Sequence, residues 1–245
     1  PRTLPAAAAG VVMGSALAWR DGFFRVDAAL ACLFAALLLQ IGSNLANDVF
    51  DFERGTDTPE RLGPTRVTQA GLLSPSQVKI GMAVVFALAA LLGLYLAWLG
   101  GWPIILIGIA AIISAVAYTG GPFPLGYYGL GDIFVFIFFG LASVAGTYYV
   151  QAGAVSSAAW WMSMPMGLII TAILVVNNLR DLENDRKAGK HTLAVMLGAR
   201  GARIEYVLCV VSAYLTVPVL TLLHIVPVFS LLTWLSIPLA WKTLR

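Results

Sequence analysis

Two short acidic stretches contain the side chains best suited to chemistry. In the first stretch, Asn44, Asp48 and Asp51 follow one another at the spacing i, i+4 and i+7, which places them on one face of a helix. The second stretch repeats the pattern with Asn177, Asp181 and Asp185. Because carboxylates that share a helix face repel one another, each stretch should require a nearby cation.

Carboxylate and amide oxygens are the ligands that Mg²⁺ prefers, and Mg²⁺ usually completes its shell with water and substrate phosphates. We therefore interpret both stretches as sites for Mg²⁺ and a diphosphate substrate. The aspartates would be the catalytic residues. The predicted metal ligands are Asn44, Asp48, Asp51, Asn177, Asp181 and Asp185. The alternative is that both stretches only end apolar helices in solvent, and the repeated spacing argues against it.

Further polar residues close to these stretches are predicted to bind substrates. The basic ones would neutralise phosphate oxygens and stabilise the departing pyrophosphate, although membrane topology also accounts for basic residues here. The predicted set is Asn44, Asn47, Arg54, Arg61, Arg66, Tyr118, Asn177, Asn178, Lys187 and Lys190.

The glycine-rich segment 119–131 is open to two interpretations, a lid over the site or a plain connecting loop. We interpret Tyr127 and Tyr128 as interfacial aromatic residues rather than as contacts to a substrate. Asp132 is interpreted as the N-cap of the helix that follows.

The elements that must position these residues are membrane spans. Of the 245 residues, 60% are hydrophobic and only 11% are charged, and the mean hydropathy of +0.87 is too high for an ordinary soluble domain. Long apolar runs predict an all-α, polytopic transmembrane helix bundle. The eight predicted spans lie near 4–19, 28–47, 78–99, 102–118, 133–150, 158–176, 204–223 and 225–241.

Alternating these spans across a bilayer places every Lys and Arg except Arg20 and Arg25 on the face that holds the first residue. The positive-inside rule makes that face cytoplasmic. Four spans separate the two acidic stretches, so both should reach this face and meet there. The net charge of +3 is thereby explained by topology, and no nucleic-acid binding is expected. Cys32 and Cys209 fall within apolar spans, where a buried hydrophobic role is expected.

The acidic stretches, together with residues 1–7, 61–71, 118–122, 125–127, 129–132 and 177–190, resemble the UbiA-type intramembrane aromatic prenyltransferases. The resemblance extends over nearly the whole chain. Within the family it is greatest to the branch that prenylates 1,4-dihydroxy-2-naphthoate in menaquinone or phylloquinone biosynthesis. One departure is that Gly55 stands where the family motif has its last aspartate, and the Gly55–Asp57 ending is typical of the naphthoate branch.

The resemblance implies nine spans around a central cavity, with two aspartate-rich motifs that bind Mg²⁺ and a polyprenyl diphosphate. It further implies transfer of the polyprenyl group to 1,4-dihydroxy-2-naphthoate with loss of carbon dioxide. We expect a single transmembrane prenyltransferase domain over 1–245, shortened at its ends because only eight spans are counted.

Two other functions are considered. A UbiA-type enzyme with a different acceptor, such as 4-hydroxybenzoate or homogentisate, would share the aspartate motifs. A secondary transporter would also place acids in membrane helices, but usually near the midplane and often in inverted repeats. In this chain the acids lie at helix ends, and the equal spacing from Asn44 to Asn177 and from Asp48 to Asp181 indicates a parallel repeat.

Overall fold

The computed structural model describes residues 3–56 and 63–243, and these residues form a bundle of helices without strands. The α-helices are α1 (Leu4–Arg20), α2 (Val26–Glu53), α3 (Pro75–Gly100), α4 (Trp102–Ala117), α5 (Gly131–Ala152), α6 (Ser157–Arg180), α7 (Leu182–Lys187), α8 (Leu193–Leu222) and α9 (Ile237–Thr243). The middle of α5, Phe136–Ala145, is π-helical. Two 3₁₀ segments, Leu125–Tyr128 and Val228–Ser236, complete the secondary structure of the described residues.

Five helices, namely α2, α3, α5, α6 and α8, are long and apolar enough to cross a membrane. The chain is therefore an integral, multi-pass membrane protein, and the predicted all-α class is confirmed. Helices α1 and α4 coincide with predicted spans but have only 17 and 16 residues.

The predicted span 225–241 differs most from the structure, where it divides into Val228–Ser236 and α9. Pro238 stands near the start of α9. Proline lacks a backbone N–H, and its ring clashes with the carbonyl four residues earlier, so an α-helix does not continue through it without a kink or break.

Small residues allow the spanning helices to approach closely. A Cβ atom added to Gly140 of α5 would lie 2.7 Å from the Cα atom of Gly167 on α6. Large apolar side chains such as Leu91, Trp98 and Leu215 are exposed on the outside of the bundle, where lipid would cover them. Packing through small residues is characteristic of membrane bundles, in which apolar surface gains nothing by leaving lipid.

The helix ends that bear the acidic stretches converge on one end of the bundle. Helix α2 packs mainly on α3, and α6 packs mainly on α8 and α5. The loops that follow α2, α4 and α6 meet at this end, which we call the acidic end.

The interpretation of Asp132 as an N-cap is wrong. Helix α5 begins at Gly131, and its N-cap is Leu130, which contributes no side-chain cap. Asp132 therefore lies inside the first turn, and its carboxylate is buried with 7% of the residue exposed.

Candidate active site

Asp48 holds the loop after α2 against the helix. Its two carboxylate oxygens accept hydrogen bonds from the backbone N–H groups of Val67, at 2.9 Å, and Thr68, at 3.0 Å. Only 5% of Asp48 is exposed. Near a helix C-terminus the helix dipole disfavours an anion, and these two N–H groups supply compensating positive charge.

Asp51, one helical turn further along α2, is contacted by side chains from three other segments of the chain. Its Oδ1 accepts a hydrogen bond of 2.9 Å from the Tyr127 hydroxyl. Its Oδ2 lies 3.6 Å from Arg66 Nη2 and 3.9 Å from Lys190 Nζ. With 4% of the residue exposed, Asp51 requires these partners because an unpaired buried carboxylate is costly.

Lys190 joins the two acidic stretches. Its ammonium nitrogen lies 3.9 Å from Asp51 Oδ2 and 4.0 Å from Asp185 Oδ1. The same nitrogen lies 5.1 Å from the centroid of the Tyr127 ring, within the range of a cation–π contact. The prediction that the two acidic loops can meet is thus matched by the structure.

The backbone conformation of the turn after α7 places Lys190 in this position. Gly189 adopts φ = 70°, a left-handed conformation that favours glycine, and it ends the turn after α7. The Lys190 N–H then donates to the Asp185 carbonyl at 2.8 Å, and the His191 N–H donates to the Tyr127 carbonyl at 3.0 Å. The second acidic loop is thereby tied to the loop after α4.

Asp181 is held by the arginine beside it. Arg180 donates to both carboxylate oxygens of Asp181, at 2.8 and 2.6 Å, and also donates to Asn177 Oδ1 at 3.2 Å. This bidentate pair neutralises a carboxylate at the C-terminal end of α6. Asn177, Asp181 and Asp185 are partly buried, so they remain accessible to a substrate.

The other predicted residues are hydrogen-bonded within the protein, partly buried, exposed, or outside the described part of the chain. Asn44 is hydrogen-bonded to Thr3 and Gln40, and Asn47 accepts from the Thr119 hydroxyl. Arg54 donates to the carbonyls of Thr119 and Gly121. Asn178 is partly buried and Lys187 is exposed. Arg61 and Asp57 lie outside the described residues.

Tyr127 is a candidate site residue that the sequence interpretation placed at the membrane interface instead. Its hydroxyl contacts both Asp51 and Thr56, at 2.9 and 3.1 Å, and its ring lies under Arg54 and Lys190. Burial, reinforced by the charge of Asp51, raises the pKa of the Tyr127 hydroxyl, so this group acts as a hydrogen-bond donor. No helical periodicity marks this tyrosine, since it lies in the short 3₁₀ segment Leu125–Tyr128.

The donor set suits a cation whose coordination is completed by a substrate. Among the described residues, no three His, Cys, Asp or Glu side chains converge closely enough to hold a metal ion by themselves. Asp51 and Asp185 nevertheless reach one and the same ammonium group. Mg²⁺ is commonly held by one or two carboxylates together with substrate phosphates, and this arrangement provides that pair of carboxylates.

Two grooves in the structure lie away from the acidic cluster. One, of about 460 Å³, runs along α8 and is lined by Glu205 and Cys209 among others. The other, of about 640 Å³, lies near Arg20 and His224 at the opposite end of the bundle. Neither coincides with the converged carboxylates, which we take as the site on the strength of their chemistry.

Comparison with known proteins decides the family. Residues 7–245 match the model of the UbiA prenyltransferase family. The chain belongs to the UbiA prenyltransferase family. It is therefore an enzyme that transfers prenyl groups, and enzymes of this family generally depend on a divalent metal.

Two named relatives and one solved structure show how far the likeness extends. The prenyltransferase is 41% identical to 1,4-dihydroxy-2-naphthoate octaprenyltransferase of Escherichia coli (strain K12), over 100% of this chain and 82% of the relative. It is 44% identical to the Mycobacterium tuberculosis protein of the same name, over 84% of this chain and 70% of the relative. The apo structure of a UbiA homolog from Aeropyrum pernix K1 superposes with a TM-score of 0.70 at 17% identity, covering 93% and 80% of the two chains, and shares the fold.

Replacing Tyr127 by Phe should lower turnover by about tenfold, because a hydrogen bond to a charged group contributes about 1.5–3 kcal/mol. The ring and its contact with Lys190 would remain. Tyr128→Phe is the matched control, since Tyr128 is exposed and stacks on Phe123. Steady-state rates of purified variants would test this, and equal rates for Tyr127→Phe and the wild type would contradict the role assigned to the hydroxyl.

Proposed function

We propose that this prenyltransferase transfers a polyprenyl group from a polyprenyl diphosphate to 1,4-dihydroxy-2-naphthoate, with release of carbon dioxide and pyrophosphate. The main structural support is that Asp51 and Asp185, from the two acidic stretches, both lie close to the Lys190 ammonium group. The names of the Escherichia coli and Mycobacterium tuberculosis relatives support the choice of acceptor.

The diphosphate would bind at the acidic end between α2 and α7. We propose Mg²⁺ as the metal, and when bound it would help to neutralise the charge that develops on the departing pyrophosphate. The residues proposed to hold it are Asn44, Asp48, Asp51, Asn177, Asp181 and Asp185. Of these, Asp51 and Asp185 have the most direct structural support, since they already face a common cation.

Arg66 and Lys190 would bind the diphosphate if a metal ion were present. In the structure both cations pair with Asp51. If a divalent cation were held by that carboxylate, the Arg66 guanidinium and the Lys190 ammonium would be available to bind phosphate oxygens. Their charge would then stabilise the leaving group where its negative charge grows.

Protection of the prenyl cation from water follows from the position of the site. The loop 118–130 covers the acidic cluster, because Arg54 binds its Thr119 and Gly121 carbonyls and Tyr127 binds Asp51. The polyprenyl tail would lie along apolar helix surfaces. An allylic cation formed there would meet the aromatic ring of the acceptor before it meets bulk water.

Arg66 is the described residue best placed to recognise the acceptor carboxylate. It is partly buried and lies 3.6 Å from Asp51, and its Nη1 is 3.5 Å from the Asn44 carbonyl. A guanidinium can bind a carboxylate through two parallel hydrogen bonds, which a lysine cannot. We extend this proposal to Arg61, which is close to Arg66 in sequence.

Carboxyl-labelled 1,4-dihydroxy-2-naphthoate, incubated with polyprenyl diphosphate and Mg²⁺, tests the proposed function. We expect the label to leave as carbon dioxide in equal amount to the prenylated product, and a chelator should stop both. Label retained in the lipid product would overturn the reaction. Turnover of 4-hydroxybenzoate in place of the naphthoate would leave the family assignment but refute the acceptor.

We also propose that the acidic end faces the cytoplasm, because almost all basic residues lie on that side of the predicted spans. Lys187→Cys, on exposed α7, should resist a membrane-impermeant thiol reagent in intact cells and react in inside-out vesicles. Phe23→Cys, exposed between α1 and α2 at the other end, is the matched control and should behave in the opposite way. Labelling of Lys187→Cys from outside intact cells would refute the orientation.

A further inference from the structure

Asp132 is a buried carboxylate that the proposed diphosphate site does not use. Only 7% of it is exposed, and neither Oδ1 nor Oδ2 has a hydrogen-bond partner within the described part of the chain. Burial of a carboxylate without a hydrogen-bond partner costs free energy. Such a group in a native protein calls for an explanation, such as a catalytic role or a bound ion or water.

Asp132 lies in the first turn of α5, directly after a residue that packs against Tyr118. The Tyr118 hydroxyl packs against Gly131, where an added Cβ atom would lie 2.7 Å from it. Burial raises the pKa of the Tyr118 hydroxyl, and the charges of Asp132, Asp51 and Asp185 raise it further. An added Cβ atom at Gly126 would lie 3.0 Å from the ring of the same tyrosine, and Tyr127, the next residue, donates to Asp51. Tyr118 therefore packs between the first turn of α5 and the segment that contacts the first acidic stretch.

No cation neutralises Asp132 among the ion pairs of the described residues. Glu205 of α8 interacts electrostatically with Asp132, but it is also an acid, and its buried Oε2 atom has no hydrogen-bond partner in the part of the chain that the structure describes. An ionised carboxylate can only accept hydrogen bonds. The ligand that satisfies Asp132 should therefore bring a hydrogen-bond donor.

The proposed acceptor brings such a donor. A dihydroxynaphthoate has a phenolic hydroxyl on the ring carbon beside the one that bears the carboxylate. Loss of the proton from that hydroxyl raises the electron density of the reacting carbon. A carboxylate that takes the proton during bond formation acts as a general base, which typically contributes about 10²–10⁴-fold to the rate.

We propose that Asp132 binds this hydroxyl of the aromatic acceptor and is its proton acceptor, an inference that rests on the proposed function. As the prenyl C–O bond breaks, pyrophosphate leaves with the bonding electrons and the ring carbon forms the new C–C bond. The hydroxyl proton passes to Asp132, which leaves a ketone. When the carboxylate departs as carbon dioxide, its bonding electrons return through the ring to the ketone oxygen, and Asp132 gives the proton back. The residue ends in its starting state.

Rates of variants test the proton transfer. Asp132→Asn keeps the shape of the side chain but is not a base, so its kcat should fall about 10²–10³-fold while the KM for prenyl diphosphate stays nearly unchanged. Asp132→Glu should recover part of the loss. Asp27→Asn is the matched control, because it also removes a carboxylate from the first turn of a spanning helix but lies at the opposite end of the bundle, and it should retain kcat.

Competitive inhibition by two acceptor analogues tests the contact itself. 1-Hydroxy-2-naphthoate keeps the hydroxyl beside the carboxylate, whereas 4-hydroxy-2-naphthoate lacks it. The wild type should bind the first about tenfold more tightly, because a hydrogen bond to a charged group is stronger than one between neutral groups. In Asp132→Ala this preference should disappear, whatever the effect of the substitution on thermal stability.

The outcomes separate the two proposals. A wild-type enzyme that prenylates 1,4-dihydroxy-2-naphthoate, with kcat retained in Asp132→Asn or with the analogue preference retained in Asp132→Ala, overturns the role of Asp132 alone. An enzyme that does not prenylate this acceptor overturns the proposed function and the role of Asp132 with it. Loss of kcat together with loss of the preference supports the inference.

Discussion

The contact of Lys190 with Asp51 and Asp185 is the interaction on which the acidic end depends. Two carboxylates from separate loops lie 3.9 and 4.0 Å from one ammonium nitrogen. Without such a cation, acids gathered at the C-terminal ends of helices would repel one another and would also face the negative end of the helix dipole. Arg66 and Arg180 provide the same kind of neutralisation for Asp51 and Asp181.

Substrate binding can use this electrostatic arrangement directly. In the absence of substrate, protein cations neutralise the carboxylates. In the proposed site, a metal–diphosphate complex would offer the carboxylates a divalent cation and the protein cations a new anion, so both sets of charges would remain paired. The membrane bundle supports the exchange because α2, α6 and their packing partners hold the two loops at a fixed end of the protein.

The loop between α4 and α5 adds the groups that metal chemistry alone would not require. Tyr127 fixes Asp51 from this loop, and Tyr118 and Asp132 lie at its two ends. Tight packing around Tyr118 explains why glycine stands at positions 126 and 131. A Cβ atom at Gly126 or Gly131 would come too close to the Tyr118 side chain. Hydrogen bonds tie the loop to the acidic cluster, and its role as a cover over the site stays a proposal.

Hydropathy and spacing predicted the parts of this structure that follow from simple constraints. A bilayer demands apolar helices, so the helix positions could be read from composition, and an even number of intervening spans brought Asp48 and Asp181 to one end. Spacing could not predict that Asp48 would bind the backbone of Val67 and Thr68, because that contact depends on how an irregular loop folds.

The same limit explains why the interpretations of Tyr127 and Asp132 were wrong. Tyr127 was assigned to the membrane interface, although its neighbours in space come from loops distant in sequence. Asp132 was assigned to a cap because acids are common at helix starts, yet the helix already begins at Gly131. Side-chain direction in the first turn cannot be deduced from residue type alone.

A double-mutant cycle on substrate binding tests the joint site most directly. The measured quantity is the Kd of a prenyl thiolodiphosphate, which does not ionise readily, in the presence of Mg²⁺ for the wild type, Asp51→Asn, Asp185→Asn and the double variant. If the two carboxylates act on one metal–diphosphate complex, the double variant should bind hardly more weakly than the weaker single variant, with a coupling free energy of about 1 kcal/mol or more. Additive losses from the two substitutions would contradict a shared site.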